Sequence, residues 1–303
     1  MTSVFPDKKE RRADFKEVSD FLTNARDLFE RFGIGQTSAV WEVHPKYPKL
    51  PVMILLMTDT HFGSVGVNTT RIAEHLDIVQ NTDNFYLVHN GDHTDNFNST
   101  IHASGMSENP IPPKIQGRVW ANRITELDRM GKIGVLGFGN HDDFTFDASQ
   151  ADFYESFFSE MRCPIFTEGG EVSIWHGMQA YNMAMTHRYW GTSKLNPTNA
   201  NKRFLNFEYP DADVIFLGHT HQSEGLHFDQ GGKDRIAVIG GTYKDRDGWA
   251  RKRGISGRAG SPGWVLCVYP DRRAMKLYKD VTMAQQDMEL YIAETKRTRR
   301  RNK

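Results

Sequence analysis

Five short apolar stretches in this chain each run straight into residues of the types that bind metal ions. Val52–Thr58 leads into Asp59-Thr60-His61, Phe85–Asn90 into Gly91-Asp92-His93-Thr94-Asp95, and Ile133–Phe138 into Gly139-Asn140-His141-Asp142. Further on, Ala180–Thr186 leads into His187, and Val214–Leu217 into Gly218-His219-Thr220-His221. Short apolar runs bounded by turn residues read as buried strands. In α/β folds the carboxyl ends of strands are where loops converge and ligands bind. The pattern therefore asks for a fold that gathers several strand ends at one place.

The rest of the chain agrees with such a fold. Strands are expected at 52–58, 85–90, 133–138, 180–186, 213–217, 235–239 and 263–269, and helices at 70–81, 114–130 and 148–161. Early alternation of the two, followed by mostly strands, implies sheets sandwiched by helices in one α/β domain. Hairpins are expected to turn at His176-Gly177 and at Asp271-Arg272. Residues 14–32 place Phe15, Val18, Leu22, Ala25, Phe29 and Phe32 at helical spacing, and Gly33 and Gly35 follow as stop signals. The expected organisation is an amphipathic helix and linker over 1–50, the main domain over 51–281, and a C-terminal helix over 282–303. That last segment ends in a basic tail containing Lys296, Arg297, Arg299, Arg300, Arg301 and Lys303.

Composition excludes several alternatives. With 38 Lys and Arg against 38 Asp and Glu, no global field announces nucleic acid or a membrane surface. Cys163 and Cys267 stand far apart, which gives neither a disulfide framework nor a thiolate zinc site, and a reducing, cytoplasmic setting fits. The longest apolar run, Val52–Met57, is too short to span a bilayer, so no membrane partner is expected. A homo-oligomer is compatible with all of this.

Carboxylates, imidazoles and an amide oxygen offer mixed oxygen and nitrogen donors. That set suits divalent Mn, Fe or Zn better than Ca or an iron–sulfur cluster, with Mn the first choice. On an extended chain Asp59 and His61 would point the same way and share an ion, and His219 and His221 repeat the spacing. Asp92 has two oxygens with which to bridge two ions. Singly, each piece has a plain structural reading: a capped turn, a Gly-Asn turn, or an N-cap at Asp92-x-x-Asp95. Their joint occurrence, each after a strand, points to chemistry.

The set resembles the calcineurin-like metallophosphoesterase superfamily, whose pattern is Asp-x-His, Gly-Asp-x-x-Asp, Gly-Asn-His-Asp/Glu, a lone His, and Gly-His-x-His. The match runs over roughly residues 52 to 280. The resemblance implies a four-layer sandwich of two mixed β-sheets flanked by α-helices. It also implies two divalent ions, the first held by Asp59, His61, Asp92 and His221 and the second by Asp92, Asn140, His187 and His219. His176 competes with His187 for the lone position. The implied reaction is in-line hydrolysis of a phosphate ester by a metal-bridging hydroxide, with His141 as general acid and Asp95 orienting it.

Three features lean towards a phosphodiesterase or nuclease acting on nucleic acid. The segment Lys233–Arg258 is basic and interleaves Tyr243 and Trp249 with Lys244, Arg246, Arg251, Lys252 and Arg253, as backbone contacts and base stacking would need. The basic tail is the second. Third, Asp59-Thr60-His61-Phe62-Gly63 and Gly139-Asn140-His141-Asp142 look more like SbcD-type nuclease subunits than protein phosphatases. The rival within enzymes is a phosphomonoesterase for a nucleotide or phosphoprotein, with the loop 97–113 as a lid. From another class, the rival is a nucleic-acid-binding protein with a vestigial metal site.

Overall fold

The structure is a computed structural model and describes residues 37–98, 103–144, 158, 161–193, 195–245 and 262–301. The expected helices over 14–32 and 148–161 lie outside the described residues, apart from Phe158 and Met161. Two six-stranded mixed sheets face each other. The first contains β2 (Val52–Met57), β3 (Phe85–Asn90), β4 (Ile133–Gly137), β5 (Ile165–Phe166), β11 (Trp264–Val268) and β12 (Met275–Tyr278). Its order is β12-β11-β2-β3-β4-β5. The second contains β1 (Ser38–Glu42), β6 (Gly170–His176), β7 (Gln179–Thr186), β8 (Val214–Leu217), β9 (Ser223–Gln230) and β10 (Lys233–Gly240). Its order is β1-β6-β7-β8-β10-β9.

The alternation of side chains along a strand explains the layering. β2 is buried along its whole length because both of its faces are covered. Val52, Ile54 and Leu56 meet Val172, Met183, Val214, Phe216 and Val238 between the sheets. Met53, Leu55 and Met57 turn the other way. There they pack under α1 (Thr69–Asn81), α2 (Pro113–Arg129) and α4 (Val281–Arg301) through Leu76, Val79, Ile124, Leu127 and Met288. On the outer face of the second sheet, α3 (Asn199–Phe207) sets Ala200, Phe204 and Leu205 against Ile215, Leu217 and Ile239. Helix, sheet, sheet and helix make four layers.

Both expected hairpins form, β6–β7 and β11–β12. β1 lies inside the segment read as helix and linker, yet it pairs in parallel with β6 from Ser38 to Glu42 and so extends the second sheet. α4 likewise buries Val281, Ala284, Met288 and Ile292 in the core of the main domain. Its basic residues through Arg301 continue the helix.

The parallel strands β2, β3 and β4 of one sheet and β7, β8 and β10 of the other end on the same side of the sandwich. Asn90 clamps the sheets there, its Nδ2 donating to Thr186 O at 2.9 Å and Phe216 O at 3.1 Å.

Candidate metal centre

The five strand ends converge. Asp59, His61 and His221 form one group of potential ligands and Asp92, His187 and His219 another, and His61, Asp92 and His141 form a third that overlaps them; within each group the ligand atoms lie within 4.8 Å of one another. Asp92 Oδ2 faces both, 3.7 Å from His61 Nε2 and 3.0 Å from His187 Nε2. Asp59 Oδ1 is 3.3 Å from His221 Nε2 and 3.8 Å from His61 Nε2. All but His219 and His221 are buried.

The loops are tight. Asp59, His61, Asp92, His219 and His221 all have positive φ, between 44° and 70°. Left-handed backbone at a non-glycine residue costs on the order of 1 kcal/mol or more and tends to cluster at functional sites. The expected extended geometry at Asp59 and His61 is thus corrected. A left-handed turn, held by Asp59 N donating to Gly91 O and His61 N to Asp92 O, brings the two side chains together. Glycines allow the close approach. A Cβ on Gly139 would sit 2.3 Å from Asp92 Oδ1, and one on Gly218 would sit 2.8 Å from Asp59 Oδ2.

The polar atoms fit divalent cations. His61 Nε2 and His221 Nε2 are 2.9 Å apart, a spacing natural for two imidazoles sharing an ion at bonds of about 2.1 Å. Asn140 Oδ1 is buried with no hydrogen-bond partner, and His187 Nε2 faces Asp92 without hydrogen-bond geometry. Electrostatics say the same. Burial pushes Asp59 up, but His187, His221 and His61 outweigh it and hold the carboxyl well below the usual range. Burial should likewise lower His187, but Asp92 and Asp59 raise it to about 10. His61, lowered by burial and by Lys244, is raised to about 9 by Asp59, Asp95 and Asp92. The carboxylates call for positive charge, and protons on imidazole stand in for it.

His176 is spent elsewhere: its Nε2 donates to Leu50 O at 2.7 Å. It sits at the other end of the hairpin, about 26 Å from His187 at the usual rise per residue.

His141 N donates to Asp92 Oδ1 at 2.9 Å, and its Nδ1 lies 2.7 Å from Asp95 O. The ring is packed by Phe97 and Phe144 at 5.0 and 4.6 Å between centroids. Its Nε2 stands 4.0 Å from Asp92 Oδ2. Asp95 holds His141 through its backbone carbonyl. Its carboxylate instead lies 3.0 Å from His61 Nδ1 and accepts from Lys244 Nζ at 2.7 Å.

That contact corrects part of the substrate surface expected from sequence. Lys244 is 8 % exposed and bound to Asp95. Tyr243 is completely buried, its hydroxyl 2.7 Å from His75 Nδ1, so it offers no face to a base. Both were drawn inside because Thr242–Lys244 frames Asp59, with Tyr243 N and Thr242 Oγ1 donating to Asp59 O. Lys233 pairs with Asp211 and Arg235 is buried against Pro210 O and Ala212 O, both at the start of β10, away from the ligands. Arg246, Trp249, Arg251, Lys252, Arg253 and Arg258 lie outside the described residues.

Two residues do work that the sequence did not assign to them. Asp142 accepts from Asp92 N and Gly139 N at 2.8 Å and from His93 N at 3.0 Å, tying the β3 loop to the β4 loop. Lys244 reads in sequence as one cation in a basic run. Its place beside Asp95 follows from tertiary structure alone.

The family described as calcineurin-like phosphoesterase matches residues 52–223. No curated protein matches the chain in sequence. Among solved structures, the chain is similar to Vps29 complexed with Zn from Entamoeba histolytica, at 11 % identity and a TM-score of 0.37 over 75 % of this chain and 97 % of that one. The calcineurin-like phosphoesterase YfkN from Bacillus subtilis aligns at 14 % identity and a TM-score of 0.36, covering 82 % and 99 %. A metallophosphoesterase from Sphaerobacter thermophilus aligns at 16 % identity and a TM-score of 0.35, covering 75 % and 87 %.

Proposed function

The chain belongs to the calcineurin-like phosphoesterase family, and from that premise we propose that it hydrolyses a phosphodiester bond of a nucleotide or nucleic acid with two divalent ions, Mn before Fe or Zn. The observation that carries the two-ion reading is the sharing of Asp92 Oδ2 between two groups of ligands. Asp59, His61, Asp92 and His221 would hold one ion, and Asp92, Asn140, His187 and His219 the other. Bound there, the ions would supply Lewis acidity for the phosphoryl oxygens and would activate water at neutral pH.

The chain's own residues do the rest. His141 keeps its Nδ1 on Asp95 O, which leaves Nε2 to carry a proton to the departing oxygen. Burial holds the ring neutral, its pKa down to about 4. A phosphodiester monoanion beside Nε2 supplies the opposite push, favouring the imidazolium whose Nε2 proton is the one given up. The Asp95 carboxylate and Lys244 position His61, and Asp142 keeps the Asp92 and Asn140 loops in register.

Support for a nucleic-acid substrate comes from the SbcD-type flavour of the motifs. The phosphomonoesterase reading is favoured by one observation, the commitment of Lys244 and Arg235 to interior partners. Assaying bis(p-nitrophenyl) phosphate and p-nitrophenyl phosphate side by side with added Mn separates the two. Faster hydrolysis of the diester is expected. Hydrolysis of the monoester alone sinks the diesterase reading.

A further inference from the structure

Beside the metal centre lies a cavity of about 390 Å³, bounded on one side by Gly218, His219 and Thr220 and on the other by Arg188, Tyr189 and Trp190. Its size falls within the range of small-molecule sites. Three of its residues are built for a ligand. Trp190 is 56 % exposed, yet it is held in place: the Arg203 guanidinium lies 4.4 Å from its ring centroid, and Phe207 runs nearly parallel to it at 6.0 Å. Tyr189 next to it is fixed by its hydroxyl on Glu208 and by packing on Phe204. An indole kept in one orientation and half in water is a stacking platform whose ordering cost is already met. Thr192, exposed on the cavity wall, offers its hydroxyl to a ligand. Arg188 is exposed and lines the cavity together with His219, whose pKa is lowered by burial and further by the Arg188 charge, so the charge stands beside the metal centre.

We propose that this cavity is a nucleobase subsite, with Trp190 stacking on the base, Thr192 reading its polar edge and Arg188 meeting an adjoining phosphate. The assignment deepens the function proposed above and rests on it for the position of the scissile phosphate. A flat aromatic group with a hydrogen-bonding rim, joined to an anion, is the one chemistry that uses all three residues at once. An aliphatic phosphate ester would leave the indole idle. A run of nucleic-acid backbone would need more cations than Arg188.

Two measurements on the full chain test it. With Mn added, a dinucleotide and its abasic counterpart are compared as substrates. The base-bearing diester is expected to have the higher kcat/KM by roughly 5- to 100-fold, the worth of one base–aromatic stack. Trp190→Ala should bring that ratio close to one, and Trp190→Phe should restore most of it. In EDTA, adenosine monophosphate, ribose 5-phosphate and phosphotyrosine are titrated by calorimetry. Adenosine monophosphate is expected to bind tightest, with the advantage lost in Trp190→Ala. Hydrolysis without base discrimination overturns the subsite and leaves the phosphodiesterase reading standing. Base-dependent binding in EDTA without hydrolysis of either diester does the reverse. Tighter binding of phosphotyrosine than of adenosine monophosphate assigns the cavity to phosphopeptides and overturns the proposal.

Discussion

Asp92 and His141 touch the same oxygen-rich centre but do different work, and substitution should separate them. Asp92→Ala removes the carboxylate assigned to both ions, so it should lose more bound metal than any other single ligand change. Elemental analysis finding two ions per chain in that variant would refute the bridging role. His141→Ala should keep its metal while turnover falls by roughly two to four orders of magnitude. The loss should be smaller for esters with good leaving groups, which need little protonation, so equal losses across a leaving-group series would leave His141 with positioning alone. At this scale the ligand types were legible in sequence for two physical reasons at once. Asp, Asn and His bind metal, and they are also the non-glycine residues that tolerate left-handed backbone, which Asp59, His61, Asp92, His219 and His221 adopt. Tyr243 and Lys244 misled because aromatic and cationic side chains look alike whether they face solvent or brace a loop from within.

Among the elements, the apolar strands were the most legible: β2, β3, β4, β7, β8, β10 and β11 fall close to their expected limits because they are covered on both faces. β1 and β9 were not foreseen, since half-exposed edge strands carry charged and polar residues and lack a continuous apolar run. α3 escaped notice because it is short and polar-rich, with Ala200, Phe204 and Leu205 making up its buried apolar face. The loops that follow the strands depend on close packing, and Gly139 tests it. With a Cβ 2.3 Å from Asp92 Oδ1 and 2.6 Å from Asp92 N, Gly139→Ala must displace the shared carboxylate. The variant should fold, by circular dichroism, yet bind metal at least tenfold more weakly. Metal affinity equal to that of the unmodified chain would show that the loop gives way at no loss.

Across the whole molecule, His75 links pH to stability. Burial and the neighbouring Arg71 lower it to about 4, and its Nδ1 accepts the Tyr243 hydroxyl. The unfolded chain, with an ordinary His near 6.5, binds the proton more readily. The stabilisation is therefore fully present above about pH 6.5 and is lost as pH falls through 4, on the order of 3 kcal/mol in all. His75→Gln keeps an acceptor for Tyr243 but cannot titrate. Urea midpoints of the two proteins should diverge between pH 6.5 and 4, the unmodified chain losing more, and parallel curves would dissociate His75 from acid sensitivity. The candidate ligands come from both halves of the sandwich, Asp59, Asp92 and Asn140 from one sheet and His187, His219 and His221 from the other. An ion gripped from both sides would fasten two layers that otherwise meet through apolar contact and the Asn90 clamp. Anything that binds only the folded form adds stability with its concentration. Lifetime against proteases should then follow metal supply, so that a chain starved of its ions is cleared as well as silenced.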